Sequence, residues 1–207
     1  MKQLKINVIG AGHWGPNVIG ALDSLPEVEV HTVCDLNEPA LAKIRQRFPA
    51  AKTSTDAQAT LSDPDVQAIC IATPVSTHFE LAKQALESGK HVLVEKPLTL
   101  NNEDAAELVD LARMHNVNVM VGHVLLFHPA IQKIKKLIDD GRIGKLQYIY
   151  SNRLNLGQVR TEENVFWSLA PHDIAIFQYF TDSYPETIKA NGVSFIQDKI
   201  YDSTITQ

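Results

Sequence analysis

The sequence is poor in cysteine, in aromatic residues and in positive charge, and it has no long apolar run. Only two of its 207 residues are cysteines, 7% are aromatic, and the net charge is −5. An acidic chain without a basic patch argues against a nucleic-acid partner. No stretch approaches the ~20 apolar residues that cross a bilayer, so we expect no membrane partner. Cys34 and Cys70 lack metal-ligand spacing and fall in predicted strands, so we expect no metal site and a reducing, cytoplasmic location.

The first 122 residues alternate apolar runs with helical patterns. Strands are predicted at about Leu4–Ile9, Val28–Cys34, Ala51–Thr53 (weak), Gln67–Ala72, His91–Glu95 and Val117–Val121. Helices are predicted at about Gly15–Leu25, Glu38–Phe48, Asp56–Leu61, Thr77–Ser88 and Asn102–His115. This βαβ rhythm is typical of a Rossmann-type, doubly wound parallel sheet, so we expect an α/β dinucleotide-binding domain over residues 1–122.

A glycine-rich turn directly follows the first predicted strand. It is the segment Gly10-Ala11-Gly12-His13-Trp14-Gly15, and Asp35 ends the second strand twenty residues beyond Gly15. In this pattern the glycines allow a tight turn and close approach of a pyrophosphate, and the acid binds the adenosine ribose. A carboxylate repels a 2′-phosphate, and Leu36-Asn37 supply no cation, so we expect NAD rather than NADP. Asp35 also suits the plainer role of an exposed helix N-cap.

After residue 122 the pattern changes. Helices are predicted at Pro129–Asp139 and at Pro171–Phe180, the second with Pro171 in its first turn. Strands are predicted at Lys145–Asn155, Glu186–Ser194 and Lys199–Thr206. We therefore expect a partial α+β domain over residues 123–207 with an open, mainly antiparallel sheet. Because that sheet would end with an uncovered edge, we expect the chain to be a fragment of a longer protein.

Three further segments are distinctive. They are Ala72-Thr73-Pro74 followed by His78, Glu95-Lys96-Pro97 after the fifth strand, and Pro171-His172-Asp173. Together with the glycine turn and Asp35, these segments resemble those of the Gfo/Idh/MocA oxidoreductases over essentially the whole chain. The resemblance implies an NAD-dependent enzyme with a nucleotide domain, a second α/β domain and a cis Lys96–Pro97 bond.

The resemblance also implies catalytic roles. Lys96 would hold the reacting oxygen beside the nicotinamide, His172 would move its proton, and Asp173 would orient His172. Oxidation of a secondary alcohol needs such a base, together with a cation that stabilises the developing alkoxide. The alternatives are a solvated lysine on the surface, and a His-Asp pair that caps the first turn of a helix.

Other positions would line the cofactor or the substrate. The expected cofactor contacts are Gly10, Gly12, His13, Trp14, Gly15, Asp35, Thr73, Pro74, His78, Glu95, Lys96, His123 and Trp167. The expected substrate contacts are Lys96, Arg153, Arg160, Asn164 and His172. An arginine forms bidentate contacts with a diphosphate or uronate, although the segment around Arg153 and Arg160 also reads as an ordinary solvated loop.

Two segments look most like those of bacterial nucleotide-sugar 3-dehydrogenases within the family, and they indicate the class of substrate. These are residues 122–129 and 152–173, and Leu125-Leu126 replaces the arginine that many sugar and polyol members carry nearby. The expected reaction is oxidation at C3 of a UDP-N-acetylglucosaminuronic acid-type sugar by a homodimer or homotetramer. Alternatives are an inositol or free-sugar dehydrogenase, a keto-sugar reductase, and a non-catalytic dinucleotide sensor.

Overall fold

A computed structural model describes residues 3–154, 159 and 163–207. Contacts within the chain divide it into two compact units, Met1–Gly122 and His123–Gln207.

The first unit alternates strands with helices. Its strands are β1 (Leu4–Ile9), β2 (Val28–Cys34), β3 (Lys52–Ser54), β4 (Ala68–Ile71), β5 (His91–Val94) and β6 (Val119–Val121). Its helices are α1 (Gly15–Asp23), α2 (Glu38–Arg47), α3 (Ala57–Ser62), α4 (His78–Glu87) and α5 (Asn102–Met114). Each predicted strand and helix is confirmed, with boundaries that differ by at most two residues.

The six strands form one parallel sheet in the order β3-β2-β1-β4-β5-β6. The order reverses between β1 and β4, and this reversal opens a crevice at the carboxyl ends of the strands. Apolar side chains fill both faces of the sheet. One cluster includes Ile69 and Leu86, the other Val8 and Leu41, and all four are almost fully buried.

Short polar side chains begin three of the helices. Asn37, Asp56 and Asn101 each accept a hydrogen bond from the backbone N–H three residues later. Such caps satisfy N–H groups that the helix leaves unpaired.

Both cysteines are buried in strands of this sheet. Burial raises the pKa of the Cys70 thiol to about 12 and also raises the pKa of Cys34. The two thiols are therefore protonated near neutral pH and pack as small apolar groups.

The second unit has two helices and a small antiparallel sheet. These elements are α6 (Pro129–Asp139), α7 (Val165–Thr181), β7 (Ala190–Val193) and β8 (Ser203–Thr206). A six-stranded parallel sheet followed by helices and a two-stranded antiparallel sheet confirms the expected fold class. Within the described residues no helix has the length and apolarity needed to cross a membrane.

Two predictions in the second unit are wrong. Residues 145–154 contain no strand, and Asn155 lies outside the described residues. Tyr148 and Tyr150 stack at 6.3 Å between ring centroids but stay exposed, because no described strand pairs with this segment. Helix α7 begins at Val165 instead of Pro171, so that Pro171 lies inside it. The start is fixed by Asn164, whose side chain accepts from the Trp167 N–H.

Candidate functional site

The glycine turn is shaped by backbone crowding. Gly10 has φ +105°, and a Cβ there would lie 2.5 Å from the Ala72 carbonyl oxygen. A Cβ on Gly15 would collide with the Gly10 carbonyl oxygen. Gly12 has no heavy atom within 4 Å of its ideal Cβ position. The first and third glycines therefore let the chain pack on itself, whereas the second leaves open space beside the N-terminus of α1.

Asp35 joins this turn to the end of β2. Its Oδ2 accepts from the Ala11 N–H at 2.6 Å, and its Oδ1 accepts from the Asn37 N–H at 2.7 Å. Each carboxylate oxygen can accept a second hydrogen bond. The side chain is half-buried, so it can fix the turn and still receive a ribose hydroxyl.

A cavity of about 340 Å³ lies between the turn and α2. Gly12, His13, Asn37, Ala40 and Lys43 are among the residues that line it. The cavity adjoins the Asp35 end of β2, where the adenosine half of a dinucleotide lies in sheets of this order. Lys43 is not among the site residues that the sequence predicts. It faces the cavity because it lies on the same side of α2 as Ala40 and Ile44.

On the other side of the crevice, Trp14 and Glu95 meet. The Trp14 Nε1–H donates to Glu95 Oε1 at 2.8 Å, although the residues are 81 positions apart. The Glu95 carboxyl also lies against Gly122, where an added Cβ would come within 3.1 Å of it. Glu95 thereby connects the glycine turn with the segments that follow β5 and β6.

His78 lies beneath the segment that carries Lys96. The side chain is 1% exposed, its Nε2 lies 2.9 Å from the Thr73 carbonyl oxygen, and its Nδ1 lies 2.9 Å from that of Pro97. Both ring nitrogens therefore face protein carbonyls, and the buried ring connects the segment after β4 with the segment after β5. Lys96 is half-buried, and the Lys96–Pro97 bond is cis, which confirms the prediction for that bond.

In the second unit, Asp173 has a partner that the sequence did not predict. Arg153 Nε donates to Asp173 Oδ2 at 2.9 Å. Consecutive residues of an α-helix project about 100° apart, so Asp173 and its neighbour His172 leave α7 in different directions. The orienting role of Asp173 stays a prediction, and its carboxylate holds the guanidinium of Arg153.

The remaining predicted residues of this unit have distinct positions. His172 is half-buried near the middle of α7 and is not in the capping first turn. Asn164 caps that helix, and Trp167 is exposed in its first turn. His123 directly follows Gly122, ahead of a 3₁₀ turn at Val124–Phe127. Arg160 lies outside the described residues.

The first unit matches a family model described as the oxidoreductase family with an NAD-binding Rossmann fold, over residues 4–123. The chain belongs to the Gfo/Idh/MocA family. Its membership confirms NAD as the cofactor expected for the fold. The geometry fits that cofactor. The crevice is bordered by Gly12 with open space beside it, by the N-terminus of α1, and by the Asp35 carboxylate, which can accept further hydrogen bonds.

The relatives with named activities differ in their substrates. The chain is 32% identical over 204 residues to UDP-N-acetylglucosamine 3-dehydrogenase of Acidithiobacillus ferrooxidans, covering 96% of this chain and 61% of that protein. It is 24% identical over 202 residues to myo-inositol 2-dehydrogenase of Thermotoga maritima, covering 95% and 60%. The chain thus spans about three-fifths of the length of these Gfo/Idh/MocA relatives.

A solved structure supports the same fold. The crystal structure of an NAD-binding protein from Listeria innocua superposes with a TM-score of 0.91 at 26% identity, covering 99% of this chain and 63% of that one.

The structure brings the glycine turn together with Asp35 and Glu95, and it adds features of the first unit that no motif reveals. These are the Trp14–Glu95 hydrogen bond, the two carbonyl partners of His78 and the lysine at position 43. In the described part of the chain, no group of three or more His, Cys, Asp or Glu side chains is placed to hold a metal ion.

Proposed function

We propose that this protein oxidises a secondary alcohol of a sugar, with NAD as hydride acceptor. The observation that carries the proposal is the position of Lys96, two residues after the end of β5, at the same edge of the sheet as the glycine turn and Asp35. Parallel strands present their carboxyl ends along one edge, so a lysine there faces the ligand crevice.

The roles of the residues follow from the charges that the reaction creates. The glycine turn and Asp35 would hold NAD, which would supply the acceptor for the hydride of the carbinol carbon. Lys96 donates a hydrogen bond to the reacting hydroxyl oxygen and stabilises the negative charge that grows on it. His172 accepts the hydroxyl proton as general base. Asp35 holds the adenosine ribose, and its negative charge favours NAD over NADP.

For the substrate, we favour a nucleotide sugar of the UDP-N-acetylglucosaminuronic acid type, oxidised at C3. The 32% identity to a UDP-N-acetylglucosamine 3-dehydrogenase supports this class. So does Arg153, because a guanidinium carries two terminal nitrogens besides the Nε that binds Asp173, and these suit a diphosphate or uronate. Asn164 and Trp167, at the start of the helix that carries His172, would complete this wall.

An inositol or free-sugar dehydrogenase is the second candidate. It is favoured by the 24% identity to a myo-inositol 2-dehydrogenase over nearly the whole chain. We further propose that the protein works in the cytoplasm. We also propose that it forms a homodimer or homotetramer, since many apolar side chains of the second unit are exposed and available to a second subunit.

The test follows absorbance of reduced nicotinamide with NAD or NADP and four alcohols, with and without 2-oxoglutarate as a second substrate. The alcohols are UDP-N-acetylglucosaminuronic acid, UDP-N-acetylglucosamine, myo-inositol and glucose. We expect NAD reduction with the uronic nucleotide sugar, and a loss of at least about a hundredfold in Lys96→Met. Lys133→Met, on the exposed face of α6, is the matched control.

Each outcome assigns a function. Turnover of myo-inositol instead of the nucleotide sugar would move the protein to the second candidate. Full activity in Lys96→Met would contradict the role of that lysine. Binding of NAD without turnover of any alcohol would favour a dinucleotide sensor.

A further inference from the structure

The order of the strands makes the Trp14–Glu95 hydrogen bond more than a local contact. Trp14 lies in the turn after β1, and Glu95 directly follows β5. Strand β4 separates β1 from β5 in the sheet. Neighbouring strands lie ~4.8 Å apart, so the two side chains together reach over about 10 Å, across the carboxyl end of β4.

A dinucleotide must follow the same path. In a sheet of this order the pyrophosphate sits at the N-terminus of α1, the adenosine lies toward β2, and the nicotinamide half extends toward β4 and β5. The adenosine side has its own cavity, beside Asn37 and Lys43. The Trp14–Glu95 pair lies on the opposite side of the glycine turn, where the nicotinamide half would pass.

Both ends of this bridge are held in place. Trp14 is the residue that precedes the first turn of α1, and the Glu95 N–H donates to the Ile71 carbonyl at 2.9 Å. The Glu95 carboxyl is confined by Gly122, which leaves no room for a Cβ. Trp14 is 43% exposed, so part of its surface remains available for a ligand.

We propose that Trp14 and Glu95 form a strap that lies against the nicotinamide half of the bound cofactor and slows its release. The strap closes when the indole N–H donates to the Glu95 carboxylate, and it opens when that hydrogen bond breaks. Trp14 acts by contact with the cofactor, and Glu95 acts on Trp14 as a positioning residue. This role concerns cofactor exchange and does not depend on the sugar substrate.

The first test measures the dissociation rate of NADH by stopped-flow displacement with excess NAD. Trp14→Phe keeps an aromatic ring but removes the N–H donor, and we expect release to accelerate about tenfold, which corresponds to about 1.4 kcal/mol. Glu95→Ala should accelerate release to a similar degree. The double variant should release NADH only slightly faster than the faster single variant, because both changes break the same hydrogen bond.

Conservative variants distinguish loss of the Trp14–Glu95 hydrogen bond from a general disturbance of the structure. The amide oxygen of Glu95→Gln still accepts from the indole N–H, so this variant should release NADH more slowly than Glu95→Ala. Glu87→Gln, on the exposed face of α4, is the matched control and should release NADH at the wild-type rate. Equal release rates in wild type and Trp14→Phe would overturn the proposal, as would additive effects in the double variant.

The second test places Trp14 directly. These 207 residues contain two tryptophans, so Trp167→Phe leaves Trp14 as the one tryptophan among them. Bound NADH should quench the Trp14 emission and show sensitised emission of its own. If NADH binds and the Trp14 emission does not change, the indole does not lie against the cofactor and the proposal fails. Both tests use NADH alone, so they stay decisive even if every proposed sugar is wrong.

Discussion

The two units of this chain bury their apolar residues to very different degrees. Of the buried hydrophobic residues in the described chain, only Ile176 belongs to the second unit. Large apolar side chains in the second unit are instead mostly exposed, among them Phe127, Tyr148, Leu154 and Phe195. In the first unit, the helices and strands that cover each strand fix its pattern of apolar residues. In the second unit, apolar residues follow similar patterns but are not covered in this way by other described residues.

This contrast predicts that single-atom changes are costly in the first unit. The largest effect is expected for Gly10→Ala, because a Cβ would lie 2.5 Å from the Ala72 carbonyl oxygen at φ +105°. The conformation alone costs an L-residue about 1–2 kcal/mol, and the clash adds to this. We expect the free energy of unfolding, measured with urea, to fall by at least about 2 kcal/mol.

Gly12→Ala is the matched control for that variant. Its Cβ meets no atom within 4 Å, so stability should stay within about 0.5 kcal/mol of wild type. NADH binding should weaken, because the added methyl group occupies space that the pyrophosphate needs. Equal destabilisation by the two alanines would show that backbone crowding is not what selects glycine at position 10.

A smaller loss of stability is expected for His78→Ala, still in the first unit. The change removes the imidazole whose two nitrogens lie 2.9 Å from the carbonyl oxygens of Thr73 and Pro97, so a buried carbonyl loses its side-chain donor. An unpaired buried group costs about 1–3 kcal/mol, so the free energy of unfolding should fall by about 1–2 kcal/mol. His115→Ala, at an exposed position, is the control and should change it little. A similar loss in both variants would contradict a special role for the buried imidazole.

The second unit should respond in the opposite direction to Pro171→Ala. Proline inside α7 lacks the N–H that would bond the carbonyl four residues earlier, at Trp167. Alanine restores that donor and is the better helix former, so we expect α7 to gain about 1–3 kcal/mol. Hydrogen exchange of the amides of residues 172–181 measures the gain. Unchanged or faster exchange would show that the helix is already fitted to the proline.

Sequence patterns predicted the first unit well for a physical reason. Its strands are short apolar runs bounded by turns and caps, so periodicity and capping residues suffice to place β1 and α5. In the second unit, Pro171 indicates the start of a helix, although Asn164, expected only as a substrate contact, supplies the cap. The alternation in residues 145–155 indicated a strand, but a strand also needs a partner, which periodicity does not reveal.

The candidate site divides in the same way. Gly10, Gly15 and Asp35 were predictable, because their spacing follows the known pattern of a strand, a glycine-rich turn, a helix and an acid that ends the next strand. The Trp14–Glu95 hydrogen bond and the carbonyl partners of His78 were not predictable, since they depend on how side chains meet across the ends of separate strands. The pairing of Arg153 with Asp173 is of the same kind.

The central position of β1 has a consequence for synthesis on the ribosome. One edge of β1 can pair with β2 once residue 34 has emerged, but its other edge pairs with Ala68–Ile71. Until that later segment leaves the ribosome, the nascent chain carries an unpaired strand edge that includes Val8 and Ile9, a template for pairing with other chains. The interval in which the growing protein is exposed to aggregation is therefore set by the order of its strands.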